Sequence, residues 1–275
     1  MRPESDSADR DPGFRVAGHF GEFLQGRLGP EGPVALVTVP CAGVGVTARR
    51  VGEAGALRQS VPVVDGEVAA RFLSALGLPV GGYALEAEAP AGLGFGMSTA
   101  GLVALARAGG ATGDIAAACR LAEGASDPLM LKCPAAALWA PREGRVLEEM
   151  PEPPACEIVG GARPGQLWTD PADMAFPDIA HLVDQWRQAC SAADLESAAR
   201  LATRSATRTT ALRGPADDPT PELAARLGAL GWLRAHTGTL RGLIFAPGTV
   251  PSGVETALAE AGLSRILRFQ AGRAS

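Results

Sequence analysis

Three glycines at alternate positions, Gly92, Gly94 and Gly96, separate the alternating run YALEAEAP (83–90) from the helix formers STAGLVALARAGG (98–110). The run reads as a strand. The stretch reads as a helix that opens on a Ser/Thr cap and stops at Gly-Gly. AGLGFGM (91–97) between them is a glycine loop, so the chain is held here to a strand–turn–helix connection. Glycine lets the backbone take positive φ and come close to a ligand. A helix start offers unpaired N–H groups and the positive end of its dipole. Together these make an anion site suited to a di- or triphosphate. Ser98 and Thr99 add hydroxyls where a phosphate-bound Mg²⁺ would need an oxygen ligand. The same glycines also suit a turn that needs only close packing, and the residues alone leave both readings open.

Of the other phosphate-binding designs, a P-loop is excluded and a dinucleotide fingerprint is weak. Lys132 is the only lysine among the 275 residues. A P-loop needs a lysine at the end of its glycine loop, and none stands there. A Schiff-base enzyme would have to use Lys132 alone, and we read that side chain as solvated. G-x-G-x-x-G does not fit 92–99, and no acidic residue follows in a strand at dinucleotide spacing. The net charge of −5 carries no basic stripe, which argues against nucleic acid as a partner. No stretch approaches the roughly 18 apolar residues of a membrane span. The polar N-terminus, MRPESDSADRDPG, is unlike a signal peptide and reads as a disordered lead-in over 1–12. Five cysteines (Cys41, Cys119, Cys133, Cys156, Cys190) lie far apart with no CxxC pair. They are expected to be buried, reduced thiols in a cytoplasmic protein.

Hydrophobic residues at 47% and charged residues at 20% fit a globular chain. Residues 34–49 read as two strands parted by a turn or bulge at Pro40, 68–79 as a helix, 114–126 as a helix and 135–150 as a hairpin. PEPP (151–154) marks a boundary. Beyond it come a strand at 155–163, one or two helices over 176–212 and a helix at 221–236. A strand at 240–248, a helix at 251–263 and a strand at 266–269 complete the chain. Mixed strands and helices with antiparallel hairpins argue for an α+β fold.

Four segments carry a family resemblance. Pro90-Ala91-Gly92-Leu93-Gly94-Phe95-Gly96-Met97-Ser98-Thr99-Ala100 resembles the phosphate-binding motif of the GHMP kinases (galactokinase, homoserine kinase, mevalonate kinase and phosphomevalonate kinase). Gly18-His19-Phe20-Gly21-Glu22-Phe23-Leu24-Gln25-Gly26 is similar to the N-terminal signature of the L-threonine kinase branch of propanediol utilisation and cobalamin biosynthesis. Ala235-His236-Thr237-Gly238-Thr239-Leu240-Arg241-Gly242-Leu243-Ile244-Phe245 is similar to that branch's C-terminal motif, and Gly124-Ala125-Ser126-Asp127 to its Glu-Pro-Thr-Asp segment. Two departures stand out. Met97-Ser98 replaces the usual Ser-Ser, and Gly124-Ala125 replaces Glu-Pro, with Glu123 next door but out of register.

The resemblance implies an N-terminal β-rich α+β domain (13–150) that binds ATP and a C-terminal ferredoxin-like domain (151–275), with the active site in the cleft between. It implies an ATP-dependent kinase that uses Mg²⁺ and phosphorylates a small-molecule hydroxyl, with L-threonine giving O-phospho-L-threonine for cobalamin biosynthesis. A kinase of another hydroxyl compound, or a nucleotide-binding member without turnover, stays open. In this reading Pro90, Gly92, Leu93, Gly94, Phe95, Gly96, Met97, Ser98 and Thr99 hold the nucleotide. Ser98 and Glu123 hold the metal. Asp127 orients or deprotonates the acceptor hydroxyl, with Ser98 also catalytic. Substrate contacts fall to His19, Gly21, Glu22, Gln25, His236, Thr237 and Gly238. Glu22 and Gln25 are taken to sit in a short loop, where the acid would meet an ammonium and the amide a carboxylate or hydroxyl. His181 reads as structural or exposed. Arg204, Arg208 and Arg213 share a helix and its exit, as a solvated face or as a clamp for an anion.

Overall fold

The computed structural model describes residues 12–52 and 55–273. The expected lead-in lies outside these residues except for Pro12. The first half runs β1 (Phe14–Arg27), β2 (Val34–Arg50), β3 (Arg58–Gln59), α1 (Gly66–Ala75), β4 (Tyr83–Ala87), α2 (Met97–Ala108), α3 (Ile115–Glu123), β5 (Ala137–Ala140) and β6 (Arg145–Glu149). The second runs β7 (Cys156–Ala162), α4 (Ala180–Ser191), α5 (Leu195–Arg213), α6 (Thr220–Arg226), β8 (Gly231–Arg234), β9 (Leu240–Phe245), α7 (Val254–Glu260) and β10 (Ser264–Ala271). The fold is α+β, as expected.

Three elements differ from the sequence reading. Residues 34–50 form a single strand, and the expected break is a bulge. Ala17 faces Gly45 while Gly18 faces Cys41, so 42–44 have no partner on β1. The segment holding Glu22 and Gln25 is a strand, not a loop. From Val16 to Leu24 nearly every side chain of β1 is buried, with α2 packed on it from its own half and α4 and α5 from the other. A strand covered on both faces shows no alternation, and its glycines mimic a loop. The helix expected at 221–236 ends at Arg226. Gly228 takes φ +69, and Ala229 N–H bonds back to Ala224 O, a Schellman stop. The apolar rhythm that continues past it belongs to β8, whose four residues are all buried.

With β8 recognised, the second half is strand, helices, strand, strand, helix, strand. Its sheet order is β10-β7-β9-β8 with antiparallel pairs. That is the ferredoxin-like arrangement. The sheet then continues through β1, β2, β4 and β3, so it crosses the expected boundary without a gap. The crossing is narrow: in the strand ladder β8 pairs with β1 at one position, Glu22 opposite Arg234. One large core uses both halves, joining Phe20, Leu24 and Leu102 to Ile158 and Trp186. A smaller one holds Trp232, Phe245 and Leu258 behind α6 and α7. Four cysteines are buried thiols, but Cys133 is exposed in the turn before β5. Among the described residues no helix is long and apolar enough to cross a membrane.

The crossing point depends on a bulge in β1. Residues 19 and 22 are three apart, so a regular strand would aim them at opposite faces. Gly21 takes φ +70, the register shifts between His19 and Glu22, and His19 Nδ1 comes 3.7 Å from Glu22 Oε1. A Cβ at Gly21 would stand 2.7 Å from Arg234 O and 2.8 Å from Ala235 N. Gly21→Ala is therefore expected to cost about 1–3 kcal/mol, read by urea denaturation. A variant as stable as the wild type would contradict this account of the crossing.

Candidate active site

A cleft of about 460 Å³ opens where the glycine loop, β1, the end of α3 and the β8–β9 turn converge. The loop alternates. Ala91, Leu93, Phe95 and Met97 are buried, while Gly92, Gly94, Gly96 and Ser98 are partly open and line the cleft. The apolar residues plug the loop into the core, and the glycines present bare backbone. Its three glycines take φ +83, +106 and +67, so each is in a conformation that other residues avoid. Gly96, not Ser98 or Thr99, is the N-cap of α2, and no side chain caps this helix. The first intrahelical bond is Ala100 N–H to Gly96 O. The amides of 97–99 thus point out of the helix start toward any anion placed there.

The loop is clamped from both halves. His19 N–H donates to Phe95 O at 3.0 Å, and Thr239 N–H to Leu93 O at 2.7 Å. A Cβ on Gly94 would stand 2.5 Å from the Ala235 Cβ. One on Gly238 would run into Leu93 O. Loop and C-terminal motif pack backbone on backbone.

Over Gly96 lies an acid–imidazole–acid chain. His19 Nε2 is 3.3 Å from Asp127 Oδ2, with Glu22 on the far side of the ring. Burial works against a charged imidazole, but the flanking carboxylates outweigh it and push His19 up to about 9. Gly21 N–H, 3.2 Å from Nδ1, favours the neutral ring, so the upward direction rests on the two acids. Burial pushes Glu22 up to about 8, against the pull of His19. Burial also opposes ionised Asp127, yet His19 and the Thr99 hydroxyl hold it below the usual carboxylate range. Its side chain is a quarter exposed, toward the cleft.

Beside this chain the Ser98 hydroxyl donates to Glu123 Oε1. Burial first, then the nearby Asp127 charge, push Glu123 up to about 7, with the Ser98 bond acting against them. Glu123 is out of register in sequence, but α3 ends there and delivers it to the start of α2. Carboxylate and hydroxyl oxygens are the hard donors Mg²⁺ takes, usually as one or two protein ligands among waters. The glycine cradle beside them leaves room for phosphate. The residues present therefore fit a Mg²⁺-phosphate group.

Placement of the other expected residues is uneven. His19, Glu22, Thr99, His236, Thr237 and Gly238 line the cleft, as do Gly92, Gly94, Gly96, Met97 and Ser98. Gly21 and Gln25 do not. Gln25 is fully buried, and its Nε2 donates to Arg234 O at 2.8 Å, tying β1 to β8. Leu93 and Phe95 face the core, and Pro90 is outside the lining. Lys132 and His181 are exposed. Arg204 and Arg208 bond to Gln185 and to Asp178 O on the surface, whereas Arg213 pairs with Asp173 at 2.6 Å and covers the Phe176 ring. Sequence reasoning missed Arg142 and Trp168, which also line the cleft. It missed Arg234 as well, buried opposite Glu22. No motif flags them: Arg142 is held by the carbonyls of 170, 171 and 173, and Arg234 by Thr210 Oγ1 and the carbonyls of Gly214 and Ala235.

No family model matches the sequence, and no curated protein matches it. Solved structures do match in fold. L. major mevalonate kinase, in complex with R-mevalonate, aligns with TM-score 0.61 at 13% identity over 100% of this chain and 99% of the other. Homoserine kinase from Cytophaga hutchinsonii aligns with TM-score 0.54 at 16% identity over 96% of both chains. A 4-(cytidine 5'-diphospho)-2C-methyl-D-erythritol kinase aligns with TM-score 0.58 at 20% identity, covering 95% and 98%. These neighbours are GHMP kinases, and this chain has their fold.

The three histidines make the electrostatics testable by an NMR titration of ¹⁵N-labelled imidazoles. His19 is expected to hold its second proton up to pH about 9. Burial first, then Arg142 and Arg213, hold His236 down to about 3, so it stays neutral. The signs are opposite. The His19 contribution to stability is complete below 6.5 and lost as pH rises through about 9. The His236 contribution is complete above 6.5 and lost as pH falls toward about 3. Three rings titrating together near 6.5 would contradict this.

Proposed function

We propose that this chain, built on the GHMP-kinase fold, transfers the γ-phosphoryl group of ATP to the hydroxyl of a small molecule, an amino acid such as L-threonine. The observation that carries the proposal is the pairing of Ser98 with Glu123 at the mouth of the glycine loop, with Asp127 beside it in the same cleft. Residues 13–150 then supply the nucleotide side and 151–275 the ferredoxin-like wall that closes it.

The backbone of 92–98 would hold the phosphates, and Ser98 and Glu123 would hold Mg²⁺. When bound, the metal would offset the charge on the phosphates. The remaining steps belong to the protein. Asp127 is kept ionised by His19, so it can accept the acceptor's hydroxyl proton. As that oxygen bonds to the γ-phosphorus, the bond to the bridging oxygen breaks and ADP leaves. His19 holds the Asp127 carboxylate in place and offsets its charge beforehand. Among the described residues Glu22 Oε2 is buried without a partner, and a substrate ammonium beside it would draw that carboxyl into its ionised form. The sole lysine is exposed, so the cleft's positive charge comes from His19 and arginines. The L-threonine assignment, with O-phospho-L-threonine for cobalamin biosynthesis as its product, rests on the resemblance of residues 18–26, 124–127 and 235–245 to that kinase branch.

The test is ADP release from Mg-ATP with and without L-threonine. Release is expected to depend on L-threonine and to fall by about 10²–10⁴-fold in Asp127→Asn. Release that ignores L-threonine, or that survives unchanged in the variant, would overturn the proposal.

A further inference from the structure

One wall of the cleft is cationic and unsatisfied. Arg142, in the turn after β5, makes hydrogen bonds to carbonyl oxygens only: Nε to Pro171 O at 3.0 Å, and Nη2 to Asp173 O at 2.8 Å and Asp170 O at 3.3 Å. Its Nη1 is buried and has no hydrogen-bond partner among the described residues. The nearby Asp173 carboxylate is taken by Arg213. The Arg142 charge therefore has no carboxylate bonded to it.

His236 stands on the same wall, joined to Arg142 through one aromatic ring. Phe176 stacks on the His236 imidazole, centroids 4.1 Å apart and planes 16° apart, and the Arg142 guanidinium lies 5.2 Å from the same ring. His236 is 7% exposed and lines the cleft, yet among the described residues neither ring nitrogen has a hydrogen-bond partner. Two residues of the cleft lining thus carry buried donors with nothing among the described residues to accept from them. Leaving them so is costly, since a buried donor without a partner loses its full hydration. A neutral hydroxyl would satisfy one donor and leave the charge. A carboxylate supplies two acceptor oxygens and the missing charge, and a guanidinium is well shaped to hold it.

We infer that Arg142 and His236 form a carboxylate subsite for the acceptor, so the site selects hydroxy-amino acids over the matching amino alcohols. The inference rests on the kinase reading for the acceptor's hydroxyl, but the subsite is testable without turnover. Arg142 binds the acid group, and the neutral His236 donates beside it. Glu22, on the β1 side, faces the ammonium. The substrate is then gripped by both ends of its amino-acid moiety, which leaves the side-chain hydroxyl free to reach Asp127.

The experiment is calorimetric binding to the full chain with Mg²⁺ and a non-hydrolysable ATP analogue. The probes are L-threonine, L-serine and L-homoserine, each against its amino alcohol, in which CH₂OH replaces the carboxylate. The wild type is expected to bind at least one acid about tenfold or more tighter than its alcohol. Arg142→Gln should bring that ratio close to one without weakening the ATP analogue. Arg142→Lys keeps the charge and should retain part of the preference. Equal affinity within all three wild-type pairs overturns the inference, and this reading needs no variant to fold. So does an Arg142→Gln variant that loses the ATP analogue and keeps the acid preference, which would assign Arg142 to a nucleotide phosphate. A preference for the acid with no ADP release would keep the subsite and remove the kinase reading.

Discussion

At Gly96 three remote segments meet with no room for a side chain. A Cβ there would stand 2.6 Å from His19 Nε2 and 2.9 Å from Asp127 Oδ2. The bare backbone lets β1 bring His19 across the glycine loop to the Asp127 carboxylate that follows α3. The bulge at Gly21, the buried Glu22 and the helix start at Met97 are arranged around that contact. Remove the space, and the loop and the acid can no longer occupy one cleft.

The site separates charge by position. Three acids, Glu22, Glu123 and Asp127, share a small volume, and burial alone would protonate them all. His19 decides which one stays ionised. It lies 3.3 Å from Asp127 and 3.7 Å from Glu22, so Asp127 benefits most and Glu22 is left favouring its proton. Across the cleft, burial first and then the charges of Arg142 and Arg213 keep His236 neutral. One histidine is a cation among acids and the other a neutral donor among arginines, although both began as the same residue type in short glycine-bearing motifs. Neighbours set the chemistry, and the neighbours are set by the fold.

Much of this was legible in the sequence, for local reasons. The glycine loop, the Ser98–Thr99 start and Asp127 carry their chemistry in consecutive residues, and the structure brings them to one cleft. What was illegible depended on packing. β1 and β8 are covered on both faces, so neither shows alternation, and β8 continued the apolar rhythm of the helix before it. Gln25 looked like a ligand because its amide is polar, but that amide is spent joining β1 to β8. Arg142 had no motif at all. Its partners are the carbonyls of 170–173, about thirty residues away, and only the folded chain shows that one of its nitrogens has none.

The most direct test of the account is a crystal structure with Mg²⁺, a non-hydrolysable ATP analogue and L-threonine. The account predicts the phosphates on the amides of 92–98, the metal against Ser98 and Glu123, and the acceptor hydroxyl within hydrogen-bond reach of Asp127. Phosphates bound away from the glycine loop, or an acceptor hydroxyl turned away from Asp127, would contradict it.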